Sequence, residues 1–312
     1  MQTFFLFTFV TLFSLASGYI AREKGLINEE KSRLIVLTGV LFFESPIVLI
    51  VLWKFSIKPS LVILPVLGLL LAILSGVAGY LISKNSLKNQ LSLGAFTLSS
   101  SLSNQGYTMG GFICYLLHGE YGYGLSVIYI TYFHLFVYLI GYPIANYWSN
   151  SKKISIPKQI LNNLKDIRFL PVYMMITGLV LNVMNVEHPI WSEQFIRFMI
   201  PPASFIVLFA IGLQMKFSIK IFKNSIVYKL FFVKFVVTPF SALALIKFLS
   251  LESIIKNVIF IEAITPSAIY SIVICTLFEL DRQLATTLFI SSNLFFLVFI
   301  FPVLNFFSLS FI

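Results

Sequence analysis

Ten apolar runs succeed one another along the chain, each close to the ~20 residues that a helix needs to cross a bilayer. In the first half they cover Thr3 to Ala21, Leu34 to Trp53, Ser60 to Ile82, Leu91 to Leu117 and Leu125 to Tyr147. In the second half they cover Leu170 to Val186, Phe195 to Met215, Leu230 to Ser250, Asn257 to Phe278 and Leu284 to Leu304. The pattern predicts an all-α integral membrane protein of ten transmembrane helices. The first run carries the small residues Ser14-Leu15-Ala16-Ser17 that a cleaved leader would offer. No Lys or Arg precedes it, however, so it reads as a spanning helix.

Two of the runs are interrupted by polar residues. In the ninth, Ile261-Glu262-Ala263-Ile264-Thr265-Pro266-Ser267 places a carboxylate, two hydroxyls and a proline at membrane depth. Proline removes a backbone donor and frees a carbonyl one turn back. Lipid cannot satisfy such groups, so irregular backbone persists there only where protein or a wet cavity surrounds it. The fourth run carries Ser99-Ser100-Ser101-Leu102-Ser103-Asn104-Gln105-Gly106-Tyr107-Thr108-Met109-Gly110-Gly111. Asn104 and Pro266 lie 162 positions apart, a little over half the chain. Two interrupted segments at corresponding places in two halves point to a transporter's substrate site.

The polar connections set the topology. Those after the odd-numbered runs hold 16 Lys and Arg residues, and those after the even-numbered runs hold five. The positive-inside bias therefore places both termini outside and the connection between runs five and six in the cytoplasm. Lys234 lies just inside the eighth run, where its side chain would snorkel toward the basic side. Five spans per half is an odd number, so the second half is expected to be inverted relative to the first. The organisation read here is a first five-helix repeat over 1–147, a cytoplasmic connection over 148–169, and a second, inverted repeat over 170–312. The offset of 162 also superposes Lys54-Phe55-Ser56-Ile57-Lys58 on the identical Lys216-Phe217-Ser218-Ile219-Lys220. Within the connection, Ile160, Leu161, Leu164 and Ile167 share a helical face, as in a short helix lying on a lipid surface or in a plain linker.

Composition agrees with this pattern. Of 312 residues, 58% are hydrophobic and only 11% charged, against roughly 25% charged in a soluble domain. The net charge of +10 is distributed as membrane topology demands, and no nucleic-acid partner is inferred from it. Cys114 and Cys275 fall in apolar runs, so neither a disulfide framework nor a metal site is indicated.

Breaking two helices inside the membrane creates half-helix N-termini, each with free N–H groups and the positive end of a dipole. Here they would follow Asn104-Gln105-Gly106 and Pro266-Ser267. Asn104 and Gln105 both donate and accept, which suits a carboxylate or a carbonyl. Gly106 and Gly110 would let backbones approach closely, though the same spacing also serves simple helix packing. The candidate substrate-binding residues are thus Ser103, Asn104, Gln105, Gly106, Thr265, Pro266 and Ser267. Glu262 and Glu44, acids within spans, are candidates for coupling to H⁺ or Na⁺. For Glu262 a structural role, pinning the broken helix, stands beside that reading. His134 and Asn293 read as interhelical glue. A serine hydrolase would need a positioned base beside Ser99–Ser103, and no Gly-x-Ser-x-Gly frames that cluster.

The chain resembles the auxin efflux carrier family. The residues that carry the resemblance are Gly18-Tyr19-Ile20-Ala21-Arg22 with Gly25-Leu26, Ser103-Asn104-Gln105-Gly106-Tyr107, and Glu262-Ala263-Ile264-Thr265-Pro266-Ser267-Ala268. Two departures stand out. Gly110-Gly111 occurs where relatives commonly have Gly-Pro, and Glu44 precedes Pro46 where many have no acid. The resemblance implies a ten-helix 5+5 inverted repeat whose fourth and ninth helices are broken and cross. It implies a substrate site beside Asn104, Gln105, Gly106 and Pro266. A distant similarity to bile acid:sodium symporters implies a Na⁺-binding acid matching Glu262. The expected protein is therefore not an enzyme but a cell-membrane permease. Its partners would be a small organic anion, such as a mono- or dicarboxylate, and the lipid bilayer, with a homodimer as one assembly the sequence allows. It would use no cofactor beyond a coupling H⁺ or Na⁺. A membrane sensor that binds the ligand without moving it is the alternative.

Overall fold

The computed structural model describes residues 13–306 except 15, 28, 56–57, 107–108, 150–154, 166 and 215–223. Nearly every described residue is helical, in the order α1 (16–23), α2 (29–54), α3 (Pro59–Ser83), α4 (Gln90–Ser101), α5 (109–118), α6 (120–148) and α7 (Ile156–Leu164). There follow α8 (Leu170–Val183), α9 (Ser192–Gln214), α10 (Ser225–Lys247), α11 (Ser253–Ala263), α12 (Tyr270–Leu277) and α13 (282–306). Among the described residues, five helical stretches are long and apolar enough to cross a membrane. These are Pro59–Ser83, Met109–Trp148, Ser192–Ala210, Ser225–Lys247 and Arg282–Leu304, with Leu170–Val183 a shorter apolar helix. Met109–Trp148 is not one rod. Gly119, at φ 62° and ψ −154°, divides it into α5 and α6, and glycine adopts that backbone without a Cβ clash.

The helices form two groups. In one, α2 packs along α8 and α9, and α1 rests on α9, where Gly18 meets the backbone of Phe209 and Leu213. In the other, α3 lies along α4, while α13 packs on α4, α10 and α12. Lipid chains are as apolar as leucine, so helices in a membrane associate through close packing and hydrogen bonds rather than through the hydrophobic effect. Both devices are visible. The small-residue run of α3 sets Gly76 against Ser101 and Gly79 against Ser100, so that a Cβ at either glycine would strike the serine of α4. In the first group, Gly178 of α8 lies against the Leu49 carbonyl. One turn on, Asn182 Nδ2 reaches the carbonyls of Leu52, Trp53 and Phe55 at the end of α2. Those are orphan acceptors of a helix C-terminus, and one amide gathers them.

The segment Ile156–Leu164 is helical, with Leu161, Leu164 and the nearby Ile167 exposed. Lys216–Lys220, one copy of the repeated pentapeptide, lies outside the described residues, as do Ser56 and Ile57 of the other. The eighth run begins earlier than its apolar residues suggest. Asn224 accepts from Ile226 N and starts α10 at Ser225, five residues before Leu230.

Asn182→Ala is expected to leave those α2 carbonyls without their shared donor and to destabilise the protein by about 1–3 kcal/mol. A lowered unfolding temperature in detergent, with Thr177→Ala on the exposed face of α8 as a near-neutral control, checks this.

Candidate functional site

The interruptions of the fourth and ninth runs meet. α4 ends at its C-cap Leu102, and α5 resumes at Met109. α11 ends at Ala263, and α12 resumes at Tyr270. Between them the two chains run antiparallel for a single residue pair, Ser103 opposite Ser267. Asn104 N donates to Pro266 O at 2.8 Å, and Ala268 N donates to Leu102 O at 3.0 Å. Each broken helix thus satisfies backbone groups of the other, which is what irregular backbone away from water requires.

Side chains complete the crossing, and all of the following are buried. Gln105 Nε2 donates to Glu262 O at 2.7 Å, and Gln105 Oε1 accepts from Tyr132 OH at 2.6 Å. Thr265 Oγ1 bonds the same Glu262 carbonyl at 2.8 Å. Ser267 Oγ donates to Ser99 O at 2.7 Å, while Ser267 N donates to Ser292 Oγ at 3.2 Å. Asn293 of α13 binds Ser267 O at 3.0 Å and lies 3.4 Å from Asn104 Nδ2. Asn293 therefore does link helices, and it does so at the crossing.

The Glu262 carboxylate sits at the opening of the α5 half-helix. Oε2 accepts from Gly106 N at 3.0 Å, and Oε1 meets the Ser126 hydroxyl and, at 3.9 Å, the Cys114 thiol. Gly110 faces the same carboxylate, and a Cβ there would overlap it. A negative group at a helix N-terminus is favoured by the dipole, so the protein's own acid lies where the fourth break exposes its N–H groups. Gly106 has φ 69°, in the left-handed region that favours glycine, and its Cα lies against Ile130 of α6.

Of the residues singled out in the sequence, Ser103, Asn104, Gln105, Gly106, Glu262, Thr265, Pro266 and Ser267 come together. Glu44 does not join them. It is buried at the end of a π turn, Gly39–Glu44, within the packing of α2 against α8, α9 and Ile167–Phe169.

Lys234 overturns an expectation. Instead of snorkelling it is fully buried, and its Nζ donates to Leu102 O at 3.1 Å and Ser103 Oγ at 2.7 Å. The reason is the earlier start of α10, which puts Lys234 well inside the helix rather than at its end. Ser126 and Tyr132 are further members of the site that the sequence did not disclose. Each is a lone polar residue in an apolar run. Cys114 and Cys275 are buried free thiols.

Comparison with known proteins shows the family of the chain. The family model described as "Membrane transport protein" matches residues 5–304. The chain is also 24% identical over 293 residues to the uncharacterized transporter MJ1031 of Methanocaldococcus jannaschii, a match that covers 91% of this chain and 92% of that one. With its apolar helices, and a family match over nearly its whole length, the chain belongs to the membrane transport protein family of auxin efflux carriers and is a multi-pass membrane transporter, not an enzyme.

Proposed function

We propose that this protein is a permease for a small organic anion, a mono- or dicarboxylate, working by alternating access. The observation that carries the reading is the crossing at Ser103 and Ser267, where unwound, buried backbone lies inside two apolar helices. In this reading Asn104, Gln105 and the neighbouring backbone bind the anion, and Glu262 holds the coupling proton. The Ser126 hydroxyl has a single hydrogen and bonds both Gly106 O and Glu262 Oε1, so a proton on Glu262 completes that pair, and the N–H and thiol beside the same carboxyl offer Na⁺ no oxygen.

The same reading takes the chain as ten spanning helices in a 5+5 inverted repeat. Supporting it, the caps Asn89 and Glu252 that start α4 and α11 lie 163 positions apart, and the paired residues Ser103 and Ser267 lie 164 apart. It also takes both termini as outside and 148–169 as cytoplasmic. Residues assigned to one side do meet one another. Lys54, Glu120, Glu193 and Arg197, all on the outer side in this assignment, form one ion-pair network with N–O distances from 2.6 to 3.7 Å. On the other side, Asp281 caps α13 and accepts from Ser92 Oγ at 2.7 Å.

That outer network ties α2 and α9 to the α5–α6 corner, so it would close the outer face and must open during a cycle. Each exposed pair is worth no more than about 1 kcal/mol, which corresponds to ~5-fold in an equilibrium.

Five outcomes are expected. A carboxylate from a panel stabilises the detergent-purified protein against heat, by about 2.7 kcal/mol at ~100 times its Kd. Asn104→Ala loses that shift, Glu262→Gln keeps it but no longer varies between pH 5.5 and 7.5, and proteoliposomes take up the same carboxylate. Stabilisation by cations or neutral solutes alone would sink the organic-anion assignment. In a Cys275→Ser background, Glu120→Gln, which removes the pairs to Lys54 and Arg197, raises the labelling rate of Cys114 by an external impermeant maleimide about 5- to 30-fold. An unchanged rate would remove the network from the closure of that face.

A further inference from the structure

Lys234 is a buried lysine whose partners among the described residues are neutral oxygens. It lies in the π turn Val233–Val237 of α10, a local widening that re-aims side chains and recurs at functional sites. Its ammonium arrives at the carboxyl end of α4, on the carbonyl of the C-cap Leu102 and the hydroxyl of Ser103. Among the described residues no carboxylate pairs with it. Leu102 O also accepts from Ala268 N, so one carbonyl joins the cation to the ninth-helix break. One turn further along α10, Thr238 Oγ1 meets Ser75 Oγ at 2.9 Å, and Ser75 Oγ donates to Ser100 O at 2.7 Å. The helix that delivers the lysine is thereby fastened to the end of α4 at a second level.

An unpaired ammonium withdrawn from water is expensive, and leucine or methionine would fill the same volume without that penalty. What the position favours is positive charge. The C-terminus of a half-helix carries roughly −0.5 charge. In membrane carriers such ends, with unwound carbonyls, are where Na⁺ is held. The oxygens around Nζ are of that kind, whereas Glu262 is already occupied by donors. We propose that the Lys234 ammonium is the resident cation of the crossing, tethered where a carrier of this geometry would otherwise hold a free Na⁺ ion. The protein is then a Na⁺-independent carrier by construction. This deepens the permease reading and rests on it for the meaning of the crossing, but not for its test.

The test uses Na⁺ alone, with no substrate. Unfolding temperatures of the detergent-purified full chain are compared in NaCl and in choline chloride at equal ionic strength. The wild type is expected to melt at the same temperature in both. Lys234→Ala, which vacates the oxygens, is expected to melt at least about 3 °C lower in choline and to recover part of that loss in NaCl. Lys234→Ser, which adds an oxygen, should behave likewise, and Lys234→Met, which fills the space, should not respond to Na⁺. A Na⁺-specific rise in the wild type overturns the proposal, as does the absence of any Na⁺-specific rise in both Lys234→Ala and Lys234→Ser. Because both variants could fail to fold, equilibrium binding of radiolabelled Na⁺ to the wild type stands as the independent measure. Saturable binding refutes the tethered cation, and no binding upholds it. If no carboxylate binds the protein while these results hold, the anion assignment fails and the tethered cation survives.

Discussion

Backbone that leaves the helix inside a membrane must find every hydrogen-bond partner within the protein, and the rest of this structure is arranged around that demand. Two helices break at the same level and exchange N–H···O=C bonds across Ser103 and Ser267. What the exchange leaves over is taken up by side chains from helices on every side. Gln105 and Thr265 take the Glu262 carbonyl, Asn293 takes Ser267 O, and Ser126 takes Gly106 O. Because Ser126 lies on α6 and Asn293 on α13, while Lys234 of α10 and Glu262 of α11 bond the fourth break, the relative placement of those helices is specified by polar contacts. Apolar packing alone, in an apolar solvent, would specify it weakly.

The two breaks are chemically unequal. At the fourth, the carboxyl end of α4 carries the Lys234 ammonium, and the amino end of α5 carries the Glu262 carboxylate. Each charge complements the dipole end it caps. At the ninth, the capping groups are neutral: the Gln105 amide, Asn293, Ser292 and backbone. A break held by two charges resists rearrangement more than one held by amides and hydroxyls, since hydrogen bonds to charged groups are worth roughly twice those between neutral ones.

Much of this was legible in the sequence, because hydrophobic runs of bilayer length and polar interruptions within them are strong signals. The positions of both breaks, and the residues gathered there from Ser103 to Gly106 and from Glu262 to Ser267, could be read directly. What escaped were contacts made by isolated polar residues on helices far away in the chain. Ser126 and Tyr132 carry no motif, and their role depends on which face of α6 turns inward. Lys234 was misread because the start of α10 depends on one Asn cap in a polar segment, and a shift of a few residues separates a snorkelling lysine from a buried one. Glu44 lies apart from the crossing. An acid in a span suggests a site, yet its helix belongs to the other group, and composition does not tell which helices pack together.

The paired charges of the fourth break have an electrical consequence. One elementary charge moved through 100 mV exchanges about 2.3 kcal/mol with the membrane potential. Lys234 and Glu262 are opposite in sign and are bound to the same broken helix. If the crossing shifts as one body with Glu262 ionised, their contributions cancel and the protein itself carries no net charge through the field. The voltage then acts on whatever cargo the crossing holds, and for an anion in a cell with a negative interior that force points outward.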